Sequence, residues 1–263
     1  MKIIDEKTNK ELVFPIELYC SGASSNITNS FVSINGHYGS YHVRNSAHIG
    51  VYNFNITGTI EAKNADDVQK TRSKIISTLF NKNLFFFKSD ADTLFHKCVL
   101  NGSVNVSFNQ GYNISRAFTI NFTLTCYDGV AWSKKEYTKS LKVGDNDIEY
   151  SGSIPITPLI IIKKDYEDFF IKKSDIDAFI QCLYPDGDRR SLYFNKDVGI
   201  INNFRMDRGL CYSNKSLIKE VRESSLLNPI ILKNGHNYLT INNHFLPDDL
   251  DLNIQLIYRE CFY

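Results

Sequence analysis

The sequence predicts a mainly β protein: β-sandwich domains, two domains in all, with one helix in the N-terminal domain. Three observations predict it. Apolar and polar residues alternate strictly over long stretches of the first half. One segment there breaks to helical spacing. The second half is a series of short apolar runs separated by turn pairs. The 263 residues are 43% apolar, ample for packed cores in two ordinary domains.

The first long alternation covers 52–61. Tyr52, Phe54, Ile56, Gly58 and Ile60 point one way, and Asn53, Asn55, Thr57, Thr59 and Glu61 the other. Residues 118–126 repeat the pattern, with Phe118, Ile120, Phe122, Leu124 and Cys126 against Thr119, Asn121, Thr123 and Thr125. Val104, Val106 and Phe108 do so more briefly. These read as half-buried strands of an antiparallel sheet, with Phe54, Phe118, Ile120 and Phe122 filling the first core. The matches to the glycosylation pattern at 55–57 and 121–123 follow from this alternation, because positions i and i+2 share a face. They are solvent-facing strand positions.

Between these strands, Val68, Ile75, Ile76, Leu79 and Phe80 recur at helical spacing. Asn64 caps a helix over about 64–81, and Asp66 and Asp67 stand where the helix dipole favours negative charge. Its apolar stripe must lie on a sheet. The run at Leu84–Phe87 follows as a buried strand.

The pattern loosens after Cys126. Turn residues and charges at 127–135 and 143–147 place a junction near 132–140, giving domains 1–136 and 137–263. In the second domain Pro155 and Pro158 confine the segment before 159–162 to an edge or a strand start. Further strands are expected at 177–183, 191–195, 198–205, 228–232, 238–241 and 250–258, with no convincing helix. The turn pairs Asp186-Gly187 and Asn234-Gly235 punctuate them.

Several function classes are excluded or disfavoured. The net charge of +1 offers no basic surplus for nucleic acid and no acidic arm. No apolar run approaches the roughly 20 residues of a membrane helix. The start, MKIIDEKTNKE, turns polar after Ile4 and reads as no signal peptide, so folding in a reducing cytoplasm is expected. Six cysteines, none in a C-x-x-C pair, then read as buried free thiols. His236 is the obvious catalytic candidate, but Asn234-Gly235 before it is a chain reversal and no nucleophile frame accompanies it. His37, His42 and His48 crowd within 36–50, yet His37 and His42 differ in strand parity, so a loop is preferred to a metal site. The acidic turns at 145–147, 186–188 and 248–249 complete no calcium loop. No cofactor, metal or catalytic set is expected. A sugar-binding sandwich is the rival reading, though the one tryptophan, Trp132, stands at the junction and a galectin-type His-x-Asn-Pro-Arg run is absent.

The order of parts resembles a known family. An alternating strand at 52–61 runs into the helix at 64–81, then an aromatic strand, a hairpin and the strong strand 118–126 with Tyr127-Asp128. A Gly152-Ser-Ile-Pro155 start opens a second sandwich. Ser224-Ser225, an L-x-x-G-x-N element at Leu232, Gly235 and Asn237, and a closing strand at 252–259 complete it. This is similar to the distal tail proteins of long-tailed, non-contractile bacteriophages, over nearly the whole chain. Relatives often carry Asp-Pro where Tyr127-Asp128-Gly129 stands here. The resemblance implies a structural protein of the virion tail tip, made in the host cytoplasm, rather than an enzyme. It implies a hexameric ring formed by the N-terminal domain, joining the tail tube to the tip hub. Tape-measure protein and genomic DNA would pass through its centre. A galectin-like second domain would project outward and hold receptor-binding proteins. The alternative is a carbohydrate-binding adhesion module acting in host-surface recognition. Loops around 36–50 and 90–96 are expected at ring or lumen surfaces, with His37, Tyr38, Tyr41, His42, Asp90, Asp92 and Phe95 as contact residues.

Overall fold

The computed structural model describes all residues except 29–30, 34–39, 43–47, 63, 90, 109–116, 165–166, 214–215, 247–250 and 263. The chain divides into two compact units, Met1–Trp132 and Ser133–Tyr263. Among the described residues no helix is long and apolar enough to cross a membrane.

The first unit runs β1 (Lys2–Asp5), β2 (Lys10–Glu11), β3 (Leu18–Thr28), β4 (Phe31–Ser33), β5 (Ser40–His42), β6 (His48–Glu61), α1 (Ala65–Leu79), β7 (Leu84–Phe87), β8 (Leu94–Phe108) and β9 (Ala117–Cys126). Antiparallel pairing orders the main sheet β3-β6-β9-β8-β7-β1-β2, and β4 pairs β5 separately. The alternation expected from sequence sets the register. Phe54 opposes Leu124, Ile56 opposes Phe122, and Gly58 opposes Ile120. Phe54, Ile56, Ile60, Ile120, Phe122 and Leu124 are all buried, and Phe118 packs partly buried against them. Gly58 is required by close approach. A Cβ there would come within 2.7 Å of the Glu17 carbonyl oxygen and 2.8 Å of the Leu18 side chain in β3.

Helix α1 forms where its spacing placed it. Asn64 Oδ1 accepts the Asp67 amide at 2.9 Å, so the cap satisfies a donor that the helix leaves free. Val68, Ile75 and Leu79 are buried in the same core as the sheet residues. Arg72 Nε donates to the Val104 carbonyl at 2.8 Å and fastens the helix to β8.

In the second unit the structure corrects several details. The segment read as a loose junction is a strand, β10 (Ala131–Leu141), and the turn read at 143–147 lies largely within β11 (Gly144–Tyr150). β12 (Leu159–Lys163) forms as expected, and β13 (Phe169–Ile171) was not anticipated. β14 (Ile180–Leu183) and β15 (Arg189–Leu192) follow. The single strand expected at 198–205 is two, β16 (Gly199–Ile201) and β17 (Asn203–Asp207), which pair in different sheets. Then come β18 (Leu210–Ser213), β19 (Ser216–Leu217), and a one-turn helix, α2 (Glu223–Leu227), where no helix was expected. The strand expected at 228–232 is reduced to one bridge between Leu232 and Ile156. β20 (Gly235–Ile241), β21 (Phe245–Leu246) and β22 (Asn253–Phe262) finish the chain.

One sheet runs β11-β20-β14-β15 and a second β22-β12-β17-β18-β19, with a small β16-β13-β21 sheet beside them. Their inner residues meet in an aromatic core. The Phe179 ring lies edge-on to Phe204 at 5.2 Å and to Phe245 at 5.5 Å.

A short repeat builds the β11-β20 pair. Leu141-Lys-Val-Gly-Asp-Asn146 and Leu232-Lys-Asn-Gly-His-Asn237 share the pattern L-K-x-G-x-N. Each Gly has positive φ, 97° at Gly144 and 101° at Gly235. Each Asn closes its own loop in the same way. Asn237 Oδ1 accepts the Lys233 amide at 2.9 Å, and its Nδ2 donates to the carbonyls of Lys233 at 2.8 Å and Gly235 at 3.0 Å. Asn146 repeats this with Lys142 and Gly144, at 2.9, 2.9 and 3.0 Å. A side-chain amide thus stands in for the missing ladder partner at the start of each strand. Tyr150 ends β11 fully buried, its hydroxyl donating to the Ile154 carbonyl at 2.7 Å and accepting the Cys261 amide at 3.0 Å. A Cβ on Gly152 would strike that hydroxyl, at 2.1 Å.

Candidate assembly surface

The first sheet has two distinct faces. Opposite its core, β6 presents Asn53, Asn55, Thr57 and Thr59, and these oppose Thr125, Thr123, Asn121 and Thr119 of β9. β8 adds Asn101 opposite Thr123, Asn105 opposite Asn121 and Ser107 opposite Thr119. No member of this set is charged. Its side chains bond to one another across strands. Thr125 Oγ1 donates to Asn53 Oδ1 at 2.7 Å and accepts from Asn101 Nδ2 at 3.0 Å, and Thr123 Oγ1 reaches Asn55 Oδ1 at 3.4 Å. Such cross-strand pairs fix a flat, neutral ladder. Asn55, Thr59, Asn101, Asn105, Ser107 and Asn121 remain exposed on it.

Beside this face lies a sheet edge. β3 is an eleven-residue strand that pairs only with β6 among the described residues. Two register shifts, between Cys20 and Gly22 and between Ser25 and Ile27, break its regularity. Tyr19 stands 54% exposed on it. A long unpaired edge is a template for another chain, and bulges limit which chain can add.

The residues expected from sequence as contacts fare differently. His37, Tyr38 and Asp90 lie outside the described residues. Tyr41 and His42 belong to β5, their backbones opposite Val32 and Phe31 of β4. Asp92 closes a tight turn, its carboxylate accepting the Ser89 amide at 2.8 Å and its own amide donating to the Ser89 carbonyl at 3.2 Å. Phe95 is buried, packed against Phe85 at 4.7 Å and Phe87 at 5.6 Å, so it serves the interior rather than an exposed contact. The neutral ladder and the β3 edge were not singled out from sequence. The signal was present in the paired Asn-x-Thr triplets, whose uncharged members recur on one face of two adjacent strands.

Among the described residues, His236 is paired with a carboxylate and not with a nucleophile. Its Nδ1 lies 3.0 Å from Asp147 Oδ1 on an open surface, with both side chains more than half exposed. Among the described residues no group of three His, Cys, Asp or Glu side chains is arranged to hold a metal ion. In the second unit, Asn203, Arg205, Asp207 and Tyr212 line an open depression of about 400 Å³. Arg205 opposes Tyr212 across strands and donates to Asp207 Oδ2 at 2.6 Å.

Residues 11–124 match the phage tail protein RIFT-related domain family. That span holds both the neutral ladder and the β3 edge. The matched span takes up most of the first unit, Met1–Trp132. Over its whole length the chain has the fold of the Dit protein of phage SPP1, described as a paradigm of the hub adsorption apparatus in phages that infect Gram-positive bacteria. The likeness covers 100% of this chain and 99% of that one, with a TM-score of 0.64 at 10% identity. The baseplate of phage p2 in its activated conformation reaches only a TM-score of 0.40 with strontium, at 12% identity over 98% of this chain and 97% of that one. With calcium it reaches 0.44, at 11% identity over 97% and 96%. No curated protein matches the sequence. The matched span begins inside β2 and ends near the close of β9, and so contains every strand that builds the ladder.

Proposed function

We propose that this chain is a non-enzymatic structural subunit of a siphophage tail tip, six copies closing into a ring through their tail domains. The ring joins the tail tube to the tip hub and lets the tape-measure protein and DNA pass. The second, galectin-like unit supports receptor-binding proteins. The observation that carries this reading is a domain of phage-tail type with a long free edge strand beside an uncharged, hydrogen-bonding face. Heterologous contacts of one edge with a neighbour's surface close into a ring when the rotation fits, which removes the free edge. Neutral side chains suit a surface that a second copy covers, because interface centres are depleted in charge. Negative-stain imaging of the purified chain, alone and mixed with its tail tube protein, tests it. Six-fold rings with a central hole are expected. Absence of rings in both samples would overturn the reading.

A second reading is favoured by the depression at Arg205. A guanidinium held by a carboxylate, an amide from Asn203 and the half-exposed Tyr212 ring are the groups that bind and stack on a sugar. The second unit then also recognises a host saccharide. A glycan array is expected to give hits that Arg205→Ala abolishes. An array without hits removes this reading and leaves the ring untouched.

A further inference from the structure

We propose that Cys98 and Cys126 are a redox pair in the tail domain, which a small peroxide closes into a disulfide bridging β8 and β9. The two residues are direct register partners across the strands, and both are fully buried. Opposed residues of an antiparallel pair have Cα atoms about 4.5–5.5 Å apart, inside the window of roughly 4.4–6.8 Å that a disulfide spans. No other cysteine in a register-paired strand faces a cysteine: Cys20 opposes Ile56, Cys182 opposes Arg190 and Leu239, and Cys211 opposes Met206.

The surroundings give the two sulfurs different roles. Cys126 closes β9 at the lip of the 127–130 loop, its thiol facing two acceptors, Asp128 Oδ1 at 3.1 Å and the Val130 carbonyl at 3.5 Å. His96 Nδ1 lies 3.1 Å from the same Val130 carbonyl. The hydrogen bond from Cys98, and then that from His96, brings Cys126 down to about 6 against the opposing pull of burial and Asp128. Cys98 is driven up, first by donating that bond and then by burial. Cys126 is therefore the more acidic thiol of the pair and the one that attacks once it loses its proton.

The chemistry balances with one peroxide. The Cys126 thiolate attacks a peroxide oxygen and the O–O bond breaks, leaving a sulfenic acid and hydroxide. Cys98 sulfur then attacks the Cys126 sulfur and expels the sulfenic oxygen as water, taking up the proton that Cys98 gives away. The proton first lost by Cys126 neutralises the hydroxide. For hydrogen peroxide, two thiols and one oxidant thus become one disulfide and two waters.

The proposal concerns a single chain and does not rest on the ring. The full chain, purified reduced, is treated with hydrogen peroxide, quenched, alkylated under denaturing conditions and digested for mass spectrometry. The expected result is one cross-link joining the Cys98 and Cys126 peptides, two hydrogens lighter than the reduced pair and reversed by dithiothreitol. In Cys98→Ser, dimedone is expected to label Cys126, because the sulfenic acid has no partner. Oxidation confined to the half-exposed Cys20, with Cys98 and Cys126 both still alkylated, would overturn the proposal. So would sulfinic acid on Cys126 with no cross-link in the wild-type chain.

Discussion

On the outward side of β6 and β9, every side chain from Asn53 to Thr59 and from Thr119 to Thr125 is an amide or a hydroxyl. On the outward side of β11 and β20 stand Asp145, Asp147, Glu149 and His236. The second face satisfies its charges locally. His236 meets Asp147, Thr240 donates to Asp145 at 2.7 Å, and Lys233 bridges Asp186 and Asp188 at 2.7 and 3.1 Å. Such pairs keep their strength and their water on an open surface, and each contributes little. Between Asn53 and Thr59 the first face carries no charge to strip of water when another chain covers it; the exposed Glu61 marks its end. The contrast teaches where to look for assembly: at the neutral ladder, not at the charged sheet that first draws the eye.

The comparison can be sharpened by substitution, and the largest effect is expected beneath the neutral face. Phe54 is fully buried, its ring 4.7 Å from both Phe86 and His96. Phe54→Ala is expected to cost about 3–5 kcal/mol by cavity formation, read by denaturant unfolding of the first unit. A cost near zero would mean that this face is not anchored by the core described.

The middle effect belongs to the loop repeat. Asn237 is fully buried and closes the 233–235 loop with four hydrogen bonds to backbone. Asn237→Leu leaves those groups unpaired, and a loss of about 1–3 kcal/mol is expected, seen as a lower melting temperature of the second unit. An unchanged melting temperature would show that the loop holds without its amide.

The smallest effect is expected on the charged face. Asp186 and Asp188 are held below the usual carboxylate range, chiefly by the hydrogen bonds from Lys233. Their contribution is present in full above the unfolded carboxylate value of about 3.9 and is lost as pH falls below it. Lys233→Ala is expected to leave the melting temperature at neutral pH unchanged within error, and also to remove what little pH dependence these two groups add below pH 4. A marked drop at neutral pH would promote this face from solvated surface to structural element.

Much of this was legible in the sequence, for reasons that differ by element. Strands β6 and β9 are buried on one side only, so their residues alternate visibly, and α1 announces itself through Asn64 and the spacing of Val68, Ile75 and Leu79. β10 was missed because residues 134–136 and 138–140 are exposed whichever way they point, so no alternation survives. β11 was missed because Asn146 fills an inward position where an apolar residue is expected, its amide bonded to the loop instead. The repeat L-K-x-G-x-N could have exposed that error, since its second copy was already read as the start of a strand. Contact residues were expected in the loops around 36–50 and 90–96, where unusual chemistry stands out. A neutral ladder has no unusual residue to notice and becomes visible only when register places its rows side by side.

The most direct measurement is the solution mass of the purified chain by light scattering, beside a variant that puts two charges on the ladder, Asn55→Lys with Asn121→Lys. Both positions are exposed, so the fold is expected to survive, while covering two unpaired lysines with a neighbour's edge costs their desolvation and opposes contact. The account predicts a wild-type particle of about six times the 30.2 kDa of one chain, and a variant that runs as a single chain. A six-fold particle that persists in the variant would contradict the claim that this face carries assembly.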